Sequence, residues 1–313
     1  MDLAADDAVG ASPASPATRA LRRVEVVVNP AAGSTGPQAA ARAEAMLAEF
    51  GVPARVASTP PAGLMKALRD AVDASPDLLV VLAGDGTANA AASLCGPKGP
   101  LVAPLAGGTM NMLPHALYGR RAWPEALREI LTTGVEAEVS GGEVDGRPFY
   151  VAAILGAPAL WAEAREAVRH GQLTLAWRKA ERALHRAFAS RLRFALEGGD
   201  PDKAEALTLM CPLVSRVMHK DERALEADVL NPRGAVEAFR LGFHALLSEV
   251  AGDWRADPSV AVMRCRRGEA WARGRIPAIL DGEPVRLHKH VRIRFLPVAF
   301  RALVPAELSP DAP

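Results

Sequence analysis

The sequence is poor in the features that would staple, charge or anchor a protein. Its three cysteines, Cys95, Cys211 and Cys265, are odd in number, far apart and free of CxxC spacing, which excludes a disulfide framework and a cysteine-based structural zinc site. A reducing cytoplasm suits them. The formal net charge is only +1, so no global field draws the chain toward nucleic acid or an anionic membrane, and any such partner has to be recognised locally. Long apolar runs are missing too: the longest uncharged apolar stretch, Phe149 to Ala162, is interrupted by Gly156 and Pro158 and falls short of the ~20 residues of a spanning helix. The chain is expected not to cross a bilayer, although it could rest on the inner surface of one. Neither G-x-x-x-x-G-K-[ST] nor G-x-G-x-x-G occurs, so a Walker-type site and a dinucleotide Rossmann site lack support.

Half of the 313 residues are hydrophobic, enough for a core, and single cores stop growing near ~250 to 300 residues, so two domains are expected. Residues 1–20, rich in Ala, Ser, Pro and Asp and without an apolar signal-peptide run, read as a disordered tail. From Val24 the chain repeats one pattern: VEVVV into Asn29-Pro30 and AAGSTGPQ, then a helical Ala39 to Phe50; DLLVVL into AGDGT, then ANAAASL; PLVAPL into AGGTMN, then MLPHAL. Val52 to Ala57 adds a strand, and Leu64 to Val72 a helix. Continuous Val and Leu strands alternating with helices predict a parallel sheet covered on both faces, with the glycine loops at the carboxyl ends of the strands where ligands bind. This α/β domain is assigned to residues 21–134. Residues 135–296 read as a second, β-rich domain: strands at Val135 to Val144, Pro148 to Ile154, Leu192 to Leu196 and Ala206 to Leu213, helices at Ala159 to Phe188 and Gly234 to Val250, and strand-like sequence from Val260 to Val304 with a turn at Asp281-Gly282. Residues 297–313 form a C-terminal segment.

A phosphate needs backbone N–H groups converging on a concave turn, and glycine permits the dihedrals without a side chain in the way. Gly33 and Gly36, Gly84 and Gly86, and Gly107 and Gly108 each offer such a turn. One loop is ordinary strand-to-helix structure; three on one sheet edge point to a nucleotide. Asp85 stands inside the second loop, where a carboxylate repels phosphate unless it holds a metal, orients a donor or accepts a proton. It could equally be a helix-cap or turn aspartate. Thr87, Thr109 and Asn111 add short neutral hydrogen-bonding groups, or caps.

These residues resemble the diacylglycerol kinase catalytic-domain family, which includes sphingosine kinases and bacterial lipid kinases. Asn29-Pro30-Ala31-Ala32-Gly33 is similar to its Asn-Pro-x-x-Gly loop, Gly84-Asp85-Gly86-Thr87 to its Gly-Gly-Asp-Gly-Thr loop, Pro104 through Asn111 to its Pro-x-Gly-Thr-x-Asn segment, and Asp281-Gly282-Glu283 to its late Asp-Gly-Glu. The resemblance implies a phosphofructokinase-like α/β domain and a β-sandwich-like domain with ATP between them, the C-terminal segment returning toward the first. It implies nucleotide contacts at Asn29, Pro30, Gly33, Gly84, Asp85, Gly86, Thr87, Gly108, Thr109, Asn111 and Glu283. Asp281 or Asp85 would be the proton acceptor, and the same two carboxylates would hold Mg2+. The implied reaction is ATP-dependent phosphorylation of a hydroxyl on a diacylglycerol-like lipid; an NAD-kinase-like enzyme and a silent nucleotide- or lipid-binding protein are the rivals. Ala83 replaces the first glycine of the second motif, the third loop is lengthened, and Pro-Asp-Ala and Asp-Asp-Gly elements are not recognisable in CPLVSRVMHKDERALEADVL.

Other features have plainer readings. The arginine-rich, helix-periodic segment 159–194 could lie on a membrane or pack on its own domain. His288 and His290 share a strand face but lack further ligands. Arg264, Arg266 and Arg267 are a solvated run or a head-group contact.

Overall fold

The structure is a computed structural model. It describes residues 18, 20–156, 192–215, 217, 223–230 and 260–306, so the helices expected at Ala159 to Phe188 and Gly234 to Val250 lie outside the described residues. The chain forms an N-terminal α/β domain and a C-terminal β-rich domain. It divides into one unit of residues 1–138 and 300–313 and another of residues 139–299. Both crossings fall inside strands, at Gly134–Val144 and His290–Pro305, a few residues beyond the expected boundaries.

In the first unit, β1 (Val24–Val28), β2 (Ala54–Ser58), β3 (Leu78–Ala83) and β4 (Leu101–Ala106) form a parallel sheet in the order β2-β1-β3-β4. Register is continuous, Val24 beside Leu78 and Leu78 beside Leu101. Every residue of β1, β3 and β4 is buried, which is why these strands are almost wholly Val, Leu and Ala, with Pro104 in β4 and, in β1, Glu25, which is paired with Arg23 at 3.7 Å. The helices present apolar stripes at three- and four-residue spacing. These are Ala39, Ala43, Met46 and Leu47 on α1 (Ala39–Glu49), Leu64, Leu68 and Ala71 on α2 (Leu64–Asp73), and Ala88, Ala91, Ala92 and Cys95 on α3 (Asp85–Cys95). After the short α4 (Met112–Tyr118), α5 (Trp123–Thr133) buries Trp123, Leu127 and Ile130. Thr18, expected in the disordered tail, is 1% exposed and its hydroxyl donates to the Ile130 carbonyl at 3.2 Å. The end of that segment therefore belongs to this unit.

The remaining strands are β5 (Gly134–Val144), β6 (Arg147–Phe149), β7 (Ala152–Gly156), β8 (Leu192–Leu196), β9 (Asp202–Ala204), β10 (Ala206–Met210), β11 (Leu225–Leu230), β12 (Val260–Cys265), β13 (Arg267–Trp271), β14 (Ile276–Leu280), β15 (Glu283–Leu287) and β16 (His290–Pro305). The C-terminal part of β16 returns to the first unit, with Ala302 parallel to Val102 of β4 and the Tyr118 hydroxyl bonded to the Leu303 carbonyl. In the second unit, β7, β10, β11, β12, β14 and β15 make an antiparallel sheet in the order β12-β11-β10-β7-β14-β15. Its inward side chains, among them Leu155, Leu207, Leu209, Ala227 and Val229, share one core with Phe194, Leu196, Ala270, Val291 and Ile293 from β8, β13 and β16. Two sheets thus pack face to face.

Candidate functional site

In the first unit the ends of β1, β3 and β4 bring the three glycine loops together. Loop 1 is tied to loop 3 by Ser34, whose backbone N–H donates to the Gly107 carbonyl at 3.0 Å, and by the Thr35 hydroxyl, which reaches the same carbonyl at 3.2 Å. Loop 3 is tied to β3 by the Gly107 N–H, which donates to the Ala83 carbonyl. This crowding explains the glycines: a Cβ on Gly107 would lie 2.7 Å from the Ala83 nitrogen, and one on Gly108 would lie 2.7 Å from the Gly84 Cα. Gly84 differs, since its φ of −80° suits any residue and a Cβ there would meet only the Gly108 Cα, at 3.9 Å. Ala83 ends β3 opposite Ala106 and is 1% exposed, so its methyl enters the core and leaves the loop unobstructed.

Asn29 begins loop 1 after Val28, its side chain accepting the Ala31 N–H at 3.1 Å, with Pro30 beside it. A Cβ on Gly33 would be in ordinary contact with the Thr109 hydroxyl, 3.4 Å away. Asn111 adopts the left-handed conformation (φ 50°), accepts the Gly108 N–H at 2.7 Å and donates its amide to the Gly108 carbonyl at 3.0 Å. It therefore shapes loop 3 from within. Asp85, Gly86 and Thr87 are the first turn of α3 rather than loop. The Asp85 carboxylate reaches across to the start of α4, accepting the Asn111 N–H at 2.8 Å and the Met112 N–H at 2.6 Å. Burial pushes its pKa above the ordinary value, while the N–H groups of Met112, Asn111 and Leu113 and the nearby His115 act in the opposite direction. Ser34, Thr35 and His115 were not singled out from sequence. The first two belong to the AAGSTGPQ loop, where their adjacent short hydroxyl side chains were the available signal.

Asp281 and Glu283 are in the second unit. Asp281 (φ 45°) and Gly282 (φ 87°) form the turn of the β14–β15 hairpin, with Leu280 opposite Glu283. Positive φ at both central residues is the two-residue hairpin geometry that Asp-Gly favours. Asp281 is only 3% exposed. One of its oxygens accepts the Val151 and Ala152 N–H groups at 2.8 and 2.9 Å, and the other accepts the Tyr150 N–H at 2.7 Å. Its own N–H donates to the Ala152 carbonyl. Glu283 is exposed at the start of β15. Of the remaining sequence candidates, His288 bonds Asp145 and His290 bonds Glu269, each at 2.8 Å, and Arg264, Arg266 and Arg267 are exposed. The segment 159–194 falls mostly outside the described residues.

Residues 23–144 match the diacylglycerol kinase catalytic domain. The matched segment holds all three glycine loops and is the one from which the family resemblance was read. A crystal structure of a diacylglycerol kinase from Bacillus anthracis str. Sterne is similar at 16% identity, with 91% of this chain and 97% of that one covered and a TM-score of 0.65. Yeast NADH kinase complexed with NADH is similar at 11% identity, covering 91% and 84%, with a TM-score of 0.51. At these identities the likeness is one of fold. The comparison with curated proteins gives no match. No helix among the described residues is long and apolar enough to cross a membrane.

Proposed function

We propose that the chain is an ATP-dependent lipid kinase, transferring the γ-phosphoryl group to a hydroxyl of a diacylglycerol-like lipid. The observation that carries this reading is the convergence of three glycine loops at one sheet edge, two of them in backbone contact that admits no side chain at Gly107 or Gly108. The family match to the same segment favours a lipid acceptor over NAD.

Asn29, Pro30 and Gly33 line the nucleotide from loop 1, Gly84, Gly86 and Thr87 from the second, and Gly108, Thr109 and Asn111 from the third. The first N–H groups of α3, at Asp85 and Gly86, have no acceptor within their helix and suit phosphate oxygens. The lipid hydroxyl attacks the γ-phosphorus in line, the new O–P bond forming as the bond to the β-phosphate oxygen breaks and ADP departs. The hydroxyl proton passes to a carboxylate. Asp85, half-buried and with a raised pKa, is the better acceptor, because a base must be reachable and poised above the ordinary carboxylate range. Asp281, nearly sealed and bonded to three N–H groups, acts by holding its hairpin and the Tyr150–Ala152 turn in place.

No group of three or more His, Cys, Asp or Glu among the described residues could hold a metal alone. That fits Mg2+, which binds through one or two carboxylates together with substrate phosphates. The ATP phosphates would supply most of its ligands, and the ion would offset their charge. The test is to incubate the pure protein with labelled ATP and Mg2+, with mixed lipid extract or NAD in separate reactions. Label in a lipid is expected. Label in NAD would make the protein NAD-kinase-like, and ATP binding without transfer to any alcohol would make it a silent binder.

A further inference from the structure

The second unit carries a charged surface that the phosphoryl-transfer chemistry does not use. Strands β8, β13 and β16 turn Leu192, Phe194, Ala270, Val291 and Ile293 inward to the core, so the alternate residues must face outward. Register places these in rows across the strands: Lys203 of β9, Arg193, Trp271 and His290 in one, Glu269 and Arg292 in the next, and Arg267 and Arg294 in a third. Apart from half-buried Trp271, all are exposed. Glu269 is bonded to His290, and Arg294 is paired with Glu143 at 2.8 Å. Arg193, Lys203, Arg267 and Arg292 have no ion pair among the described residues. These four cations share one sheet face, where the nearest acids, Glu269 opposite Arg292 and Glu197 bonded to the Arg266 and Arg267 N–H groups, form no ion pair with them.

We propose that this outward face of β8, β13 and β16 docks on an anionic phospholipid membrane. Cations on neighbouring strands ~5 Å apart can engage several head groups at once, and each Lys or Arg near an anionic leaflet adds to the attraction. Trp271 lies between Arg193 and His290 in its row. An indole beside cations is the side-chain pairing of a membrane–water interface. Preferring a bilayer to nucleic acid rests on the lipid-kinase reading, whose acceptor resides in a membrane.

The test is co-sedimentation of the full chain with phosphatidylcholine vesicles, with and without about 30 mol % phosphatidylglycerol, at rising salt. Binding is expected only with the anionic lipid and should fade between about 0.1 M and about 1 M salt, as screening shortens. The triple variant R193E/R267E/R292E should bind on the order of 10² more weakly, whereas R193K/R267K/R292K should bind like the parent. Melting temperature and turnover of lipid in uncharged detergent micelles should be unchanged by the reversal. The proposal is overturned if the parent does not prefer anionic vesicles, if the reversed variant binds as the parent does, or if random-sequence duplex DNA is held in place of vesicles. Micellar turnover reads the kinase assignment separately, so either idea can fail alone.

Discussion

Replacing Asp281 by Asn distinguishes an anchoring carboxylate from a proton acceptor. The backbone tolerates the change, since Asn accepts the left-handed conformation that Asp281 holds at φ 45° as readily as Asp does. The carboxylate does not. One oxygen serves Val151 and Ala152 and the other serves Tyr150, whereas Asn has one acceptor oxygen and an amide that can only donate. If that oxygen stays with Val151 and Ala152, the amide confronts the buried Tyr150 N–H, and stranding that donor costs about 1–3 kcal/mol. The two surviving bonds lose their charge assistance, which roughly halves each, so the total is about 3–4 kcal/mol. For a folding unit of about 150–250 residues that corresponds to a fall in Tm of about 10 °C. Circular dichroism melts of the parent and the variant measure it, alongside turnover well below both transitions. An Asn variant that melts with the parent would refute the anchoring argument, and a loss of turnover of about 10² at unchanged Tm would identify Asp281 as the base instead.

The two central glycines should separate by readout. Gly84→Ala should leave Tm unchanged because its added methyl makes only an ordinary contact, 3.9 Å from the Gly108 Cα, yet weaken ATP binding about tenfold or more in calorimetry if phosphate approaches that backbone; unchanged affinity would remove the second loop from the site. Gly108→Ala, by contrast, should lower Tm by forcing its Cβ against the Gly84 Cα. Gly86→Val, at an exposed position in the first turn of α3, should fold and lose ATP affinity; a folded variant with normal affinity would contradict the nucleotide assignment. Turnover should have an acid limb above the ordinary aspartate range of about 3.8, because the raised pKa of Asp85 means the accepting carboxylate is lost earlier as pH falls. The same raised pKa makes stability from this group present at low pH and lost as pH rises through the folded value, so Asp85→Asn should flatten both profiles. Burial pushes the Cys95 and Cys265 thiols up to about 12, and Cys211 is likewise buried and raised. At pH 8 only about one thiolate in 10⁴ is present at the first two, so the native protein should resist alkylation until denatured, and fast labelling would show that these strands open.

The sequence alone determined the layout of the first unit, because the information is local there. Unbroken Val and Leu runs mark strands buried on both faces, glycine marks their exits, and apolar residues at three- and four-residue spacing mark the helices. The alternation in Leu225–Leu230, LEADVL, is a strand signal that went unread, and alternation alone would turn its acids to solvent. The fold instead buries Glu226 and Asp228 completely, with the Ser215 hydroxyl bonded to Glu226. Only the tertiary structure decided what the two Asp-Gly pairs do. Asp85-Gly86 opens a helix, and Asp281-Gly282 turns a hairpin. The dipeptide suits both conformations, so local propensity could not choose between them. The partners that gave each carboxylate its work lie 26 and 27 residues along the chain for Asp85 and 129 to 131 residues away for Asp281. A hydrogen bond to a distant backbone N–H depends on how the elements pack, and no sequence window contains it.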